Sequence, residues 1–365
     1  MRRRLMAGLG ILVALFAMAV PAMAVAHDNA RVASVYTITN AAAGNAVAAY
    51  ARAGDGSLSP SGTFATGGLG TGAVLASQGA VTLSADGHWL AAVDAGSNDV
   101  ALFRVGPDGG LHLTDRVASG GTSPISVTVN GPFLYVLDAG GSGNIAGFVR
   151  VAGHLVSLPG SVRPLSGSAT SAEEIAFSPD GRLLVVTEKG SGELVTYRVG
   201  FLGIAGPPSA YASAGAAPYG FAFDRAGRLF VSEAAARALS SYAVSPAGVP
   251  SVISASVANG QQAACWVALT PDGRFAFTID AHSPARISTY AIAADGSVTL
   301  ADAAAAGEPT APLLDAAVSA DGRFLYVVDV GASAIDGFEI GPGGNLTPIG
   351  STAGLPAGDG GLAAS

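Results

Sequence analysis

Ile175-Ala-Phe-Ser-Pro-Asp-Gly-Arg-Leu-Leu-Val-Val-Thr-Glu188 is the stretch that decides the fold. An apolar run ends in Ser-Pro-Asp-Gly, a second apolar run follows at once, and that run stops at an acid. Asp-Gly supplies the positive φ that a tight hairpin between two strands needs. The same unit recurs at Val81-Thr-Leu-Ser-Ala-Asp-Gly87, Val267-Ala-Leu-Thr-Pro-Asp-Gly273 and Val318-Ser-Ala-Asp-Gly322, with variants at Val127-Thr-Val-Asn-Gly131 and Phe221-Ala-Phe-Asp-Arg-Ala-Gly227.

Each second strand ends at Asp94, Asp138, Glu188, Glu233, Asp280 or Asp329, and Asn40 holds that place after Val35–Thr39. A third, alternating strand follows, carrying Tyr50, Phe103, Phe148, Tyr197, Tyr242, Tyr290 and Phe338 in turn. A Gly-rich turn and a fourth strand complete the unit. From Asn40 onward the intervals between these strand-ending residues are 54, 44, 50, 45, 47 and 49. Four strands per 40–50 residues is the spacing of propeller blades. The expected fold is all-β, a seven-bladed β-propeller of four antiparallel strands per blade. Only six complete inner strands are found, so the tail Gly360-Gly-Leu-Ala-Ala-Ser365 is expected to supply the innermost strand of the first blade, with three strands from residues 32–68.

Composition agrees. Of 365 residues only 12% are charged, against about 25% in ordinary soluble domains, while Gly (51) and Pro (20) are abundant. Arg2, Arg3 and Arg4 precede an apolar run from Leu5 to Val20, then Pro21 and small residues at Ala22, Ala24 and Ala26. This pattern predicts a signal peptide over residues 1–26 and a propeller over 27–365, exported to the periplasm or the medium and free of the membrane after cleavage. Whether export is of the general or the twin-arginine type stays open. Removing three cations leaves 15 basic against 26 acidic residues, a net charge of −11, and one of the 15 is the chain's single lysine, Lys189. No basic stripe suits nucleic acid. The one cysteine, Cys265, forms no internal disulfide and is expected as a small buried residue. The histidines at 27, 88, 112, 154 and 282 show no metal-ligand spacing. No metal, cofactor or second subunit is expected; the expected partner is a small-molecule ligand or substrate.

In an up-and-down blade the Asp-Gly turns share one face with the turns between strands three and four. The links between blades lie on the other face, around the mouth of the central channel, where variable loops on a rigid scaffold carry function. Candidate residues there are Gln78, Glu173, Glu174, Tyr219, Trp266 and Asp315, which precede or open inner strands, and Glu233 and His282, which follow second strands. Carboxylates beside a tyrosine can do general acid–base work on an ester or lactone. An acid after a strand can equally hydrogen-bond its own following backbone. Trp266 reads either as a stacking surface or as channel-wall packing. Glu173 and Glu174 are adjacent in a strand, so only one is expected to reach the channel.

The segments Val35-Tyr-Thr-Ile-Thr-Asn40 with Gly44-Asn-Ala-Val47, Ala118-Ser-Gly-Gly-Thr122, Phe177-Ser-Pro-Asp-Gly-Arg182 and Cys265-Trp-Val-Ala-Leu-Thr-Pro-Asp-Gly-Arg274 resemble the β-propeller lactonase family, which includes bacterial 6-phosphogluconolactonase and fungal carboxymuconate cyclase. The resemblance implies a lactonase site at the channel mouth. The family's His five residues before the Ser-Pro-Asp turn is Glu173 here, and its Pro-Arg-His run is Pro218-Tyr219-Gly220, while an acid is kept at Glu233. Loss of the Arg argues against a phosphorylated sugar lactone, and loss of the His removes the usual proton-transfer group. Two functions therefore stand. One is a hydrolase of a small neutral or cationic lactone or ester, with Glu173 or Glu233 as base and Tyr219 donating to the oxyanion. The other is a non-catalytic exported propeller that binds a ligand or protein.

Overall fold

The repeated Ser/Thr-x-Asp-Gly segment folds the same way in four blades because its side chains close the turn locally. The hydroxyls of Ser84, Ser178, Thr270 and Ser319 donate to Asp86, Asp180, Asp272 and Asp321 at 2.6, 2.7, 2.6 and 2.6 Å. Each Asp also accepts the N–H two residues on, from His88, Arg182, Arg274 and Arg323. Such Asx turns fix the hairpin without help from the rest of the chain.

The computed structural model describes residues 31–167, 169–307, 312–355, 358 and 360–365. Arg31–Ser365 form one compact unit; the expected signal peptide and His27 lie outside the described residues. Seven four-stranded antiparallel blades follow one another, with no helix among the described residues. Blade 4, for example, runs Ala172–Phe177, Leu183–Glu188, Glu193–Val199, Ala205–Ala212 from the channel outward. Blade 3 carries a short extra pair, Arg163–Pro164, on Asn144–Val151. Blade 1 closes as expected: Gly360–Ala364 pairs with Ser34–Ile38, followed by Ala46–Arg52 and Leu58–Ala65.

The third-strand aromatics are buried, Tyr197 and Tyr290 completely. On the turn face, hydroxyls staple neighbouring blades. Tyr36, Tyr135, Thr196, Thr289 and Tyr326 donate to the carbonyls of Gly109, Gly203, Gly248, Gly344 and Gly56 in the next blade, at 2.7–3.1 Å. Glycine is required there. At Gly203, φ is +78° and a Cβ would lie 2.2 Å from the Phe133 ring.

Deleting residues 360–365 removes the buried Leu362 and the bonds Thr37 Oγ1 to Gly361 O and Ser34 N to Ser365 Oγ. The expected loss is about 4 kcal/mol, from ~2 kcal/mol of Leu burial and ~1 kcal/mol per hydrogen bond. An opened sheet edge should also promote association. Thermal melting and light scattering of the truncated chain check this; an unchanged melting temperature would show that the ring does not depend on its tail.

Candidate functional site

The inner strands of blades 3 to 7 begin with a defect. Register shifts fall between Pro124 and Ser126, Ala172 and Glu174, Pro218 and Phe221, Ala264 and Trp266, and Leu313 and Ala316. Each bulge releases one or two residues from the ladder and re-aims them. The released residues are Ile125, Glu173, Tyr219 with Gly220, Cys265, and Leu314 with Asp315.

These groups meet a segment of the protein itself. Fifteen residues separate Ala65 from Val81, between blades 1 and 2, and Ala76–Gly79 within this link bonds to five other blades. Ser77 Oγ donates to Ile125 O (2.7 Å) and Gln78 N to Glu173 O (3.3 Å). The Tyr219 hydroxyl donates to Ala76 O, and Trp266 Nε1 to Ser77 O (3.1 Å). Gln78 Nε2 donates to Phe221 O (3.1 Å) and Val267 O (3.0 Å), while its Oε1 accepts Val267 N (3.0 Å). Gly79 N donates to Asp315 Oδ2 (3.3 Å). The link is thus a plug across the channel, and the Gln78 amide is committed to the backbone of blades 5 and 6. A Cβ on Gly220 would lie 2.2 Å from Gln78 Oε1.

Glu173 and Glu174 are both buried, at 6% and 5% exposure. The bulge at Glu173 breaks the alternation from which only one was expected to turn inward. Glu174 accepts Phe221 N at 2.6 Å, and burial, reinforced by the charge of Asp315, holds its pKa well above the usual carboxylate range. Asp315 accepts Ala316 N (2.8 Å), Gly79 N (3.3 Å) and Leu362 N (3.2 Å), and burial raises it to about 7.

Glu173 forms the site's one ion pair, with Lys189, whose side chain is 40% exposed. The ammonium lies 5.0 Å from the centre of the Tyr219 ring, which packs edge-on against Trp266 at 5.3 Å. Burial raises Glu173 to about 7, against the opposing pull of the Lys189 ammonium. Burial and the Glu173 charge push the Tyr219 hydroxyl far up. Trp266 is 1% exposed and forms channel wall. Cys265 is buried and its thiol is pushed up to about 12, so it stays protonated.

Glu233 has other partners. Its Oε1 accepts Ser213 Oγ (2.8 Å) and Tyr242 OH (3.2 Å), at the seam with blade 4, and it shares neither partner with Glu173. Asp94, Asp138 and Glu188 likewise receive Thr66 (2.6 Å), Ser119 (2.6 Å) and the backbone N–H of Ser166 (2.9 Å) from the link leaving the preceding blade. Asp280 and Asp329 bond their own following backbone, at His282 N (3.2 Å) and Ala332 N (2.9 Å). His282 is exposed. Among the described residues no group of three or more His, Cys, Asp and Glu is placed to hold a metal ion.

Residues 24–155 match the family model described as Lactonase, 7-bladed beta-propeller. The lactonase-propeller resemblance is borne out. The fold is shared with the periplasmic gluconolactonase of Pseudomonas aeruginosa (TM-score 0.71, 18% identity, covering 91% of this chain and 99% of that one). It is shared equally with a candidate 6-phosphogluconolactonase of Bacteroides uniformis (0.73, 16%, 92% and 100%). A functionally unknown protein of Desulfotomaculum acetoxidans has it too (0.69, 12%, 91% and 98%). No curated protein sequence matches the chain.

Two predictions follow from this geometry. Gln78→Ala leaves Val267 N–H and two carbonyls unpaired and should cost about 2–4 kcal/mol in chemical denaturation; a change below about 0.5 kcal/mol would mean the plug is not held there. Burial raises Asp94 and Asp138 to about 6 and Glu173 and Asp315 to about 7. A raised acid contributes stability that is present below its unfolded pKa and lost as pH rises through its folded value. The melting temperature should therefore climb as pH falls from about 8 to about 5. It should drop again below about 4 as the lowered turn acids Asp86, Asp180, Asp272 and Asp321 are protonated. A flat profile from neutral to mildly acidic pH would contradict the burial of these carboxylates.

Proposed function

We propose that this is an exported lactonase-type hydrolase acting on a small neutral or cationic lactone or ester at the Glu173–Lys189 corner of the channel mouth. One observation carries the reading: the chain's only lysine is paired with a buried glutamate raised to about 7, over the face of Tyr219. A general base works best with a pKa near the operating pH. In this scheme ionised Glu173 takes a proton from water as the oxygen attacks the substrate carbonyl. The oxyanion of the tetrahedral intermediate pairs with the Lys189 ammonium. Collapse breaks the ring C–O bond, and Glu173 returns the proton to the departing alkoxide, giving a hydroxy acid. Lys189 takes the oxyanion role first assigned to Tyr219, because the Tyr219 hydroxyl is bonded to Ala76 O. Glu233, at the seam with blade 4, is the alternative base. Lys189 also returns to the mouth the cation that Tyr219 lacks relative to the family pattern. Export rests on the pattern of residues 1–26.

The second reading, a propeller that binds without turnover, draws on the commitment of Gln78, Tyr219 and Trp266 to the plug. A panel of neutral lactones separates the two. Wild type should hydrolyse at least one, with kcat/KM rising on the acid limb through a pKa near 7. Glu173→Gln should lower it by roughly 10²–10⁴ and Lys189→Gln by roughly 10²–10³. A wild type that turns over no member of the panel sinks the hydrolase and leaves the binder.

A further inference from the structure

On the opposite face, a cleft of about 440 Å³ opens between blades 3 and 4. Small-molecule sites typically span about 300–1,000 Å³. Its walls include Pro132, Phe133, Pro246 and Phe201, with the guanidinium-bearing Arg182 and Arg198. Arg182, at the end of the Asp-Gly turn, and Arg198, on the strand paired with the one that this turn leads into, both line the cleft. Among the described residues neither arginine forms an ion pair or a side-chain hydrogen bond. Asp180 lines the same cleft and interacts with the Arg182 charge without forming an ion pair, and it already accepts the Ser178 hydroxyl (2.7 Å) and the Arg182 backbone N–H (3.1 Å).

Five other arginines of this face are engaged. Arg52 pairs with Asp321 (3.0 Å) and Arg228 with Asp224 (2.6 Å). Arg274 donates to Pro342 O (2.9 Å) and Arg323 to Gly54 O (3.1 Å), and Arg150 stacks 4.0 Å over Trp89. Beside the two guanidinium groups, the turn Gly200–Gly203 holds up Phe201 at 93% and Leu202 at 57% exposure. Paired cations and an unburied ring in one concavity call for a ligand with an anionic head and an apolar body.

We propose that this cleft binds a small carboxylic acid with a hydrophobic body, its carboxylate held by Arg182 and Arg198 and its body lying against Phe201. Arginine forks match carboxylate oxygens two at a time. The proposal is independent of the chemistry at the mouth.

Calorimetric titration of the mature protein with 4-phenylbutyrate, and with the neutral 4-phenylbutyramide, tests it. Wild type should bind the acid about tenfold or more tighter than the amide. The double variant Arg182→Gln/Arg198→Gln should bind both alike, and Phe201→Ser should weaken both by a similar factor. Lys189→Gln should leave acid binding unchanged. The substituted side chains are exposed, so the melting temperature should hold. Arg182→Lys/Arg198→Lys, which keeps the charge and loses the fork, should fall between wild type and the Gln pair. Equal binding of acid and amide by wild type overturns the proposal. So does acid binding that survives the loss of both arginines or disappears with Lys189, and so does no binding up to roughly 10 mM.

Discussion

Asp315 ties together three parts of the chain that are far apart in sequence. Its carboxylate receives N–H groups from its own inner strand at Ala316, from the plug at Gly79 and from the closing strand at Leu362. The rest of the architecture hangs on that junction. Without the closing strand the first blade lacks its inner edge, and without the plug the channel is open. The carboxylate achieves this at a desolvation cost that no cation offsets, which is why burial leaves it raised to about 7. Glu174 repeats the device three blades away, accepting Phe221 N, and the charge of Asp315 raises it further. In a chain with so few charges, two buried acids are spent on holding inner strands in place.

The plug also accounts for the departure from the family pattern. Gly220 stands where a histidine is expected, and any side chain there would occupy the space of Gln78 Oε1. The glycine and the glutamine are complementary: one makes room, the other fills it and satisfies three backbone groups of blades 5 and 6. The centre of the channel is thereby filled, and the proposed site lies at its edge. There Lys189 reaches over Tyr219 from the end of a second strand, and only its side chain keeps substantial contact with solvent.

Blade number, strand order and the closing tail were legible because each follows from local chemistry that recurs from blade to blade. Asp-Gly turns, period-two alternation and strand-ending acids leave little freedom. The site was legible only as a set of residues at one mouth. Glu173 and Tyr219 do come together. Glu233 does not join them, because its partners lie in the seam between blades, a tertiary contact that spacing does not encode. Both glutamates turn inward because a bulge interrupts the alternation, and nothing in Ala172-Glu-Glu-Ile175 announces a bulge. The plug left one trace: the interval from Asn40 to Asp94 is the longest of the six. The pairing of Lys189 left another, in being the only lysine of the chain.

That solitary lysine is informative because arginine does every other cationic task here. Arginines stack on Trp89 and Phe324, bridge to Asp224 and Asp321, and cap turn carbonyls. Each of those jobs uses a planar fork with several donors. At position 189 the available acceptor is one carboxylate, and the surface beneath is an aromatic face. A fork would strand donors against that ring, whereas a compact ammonium can face the carboxylate, the ring and water at once. The same compactness lets the ammonium shift from the Glu173 oxygen to a neighbouring anion without rebuilding a two-pronged contact. For the proposed reaction, in which one positive charge holds the base at rest and then meets developing negative charge, lysine suits the position better than arginine.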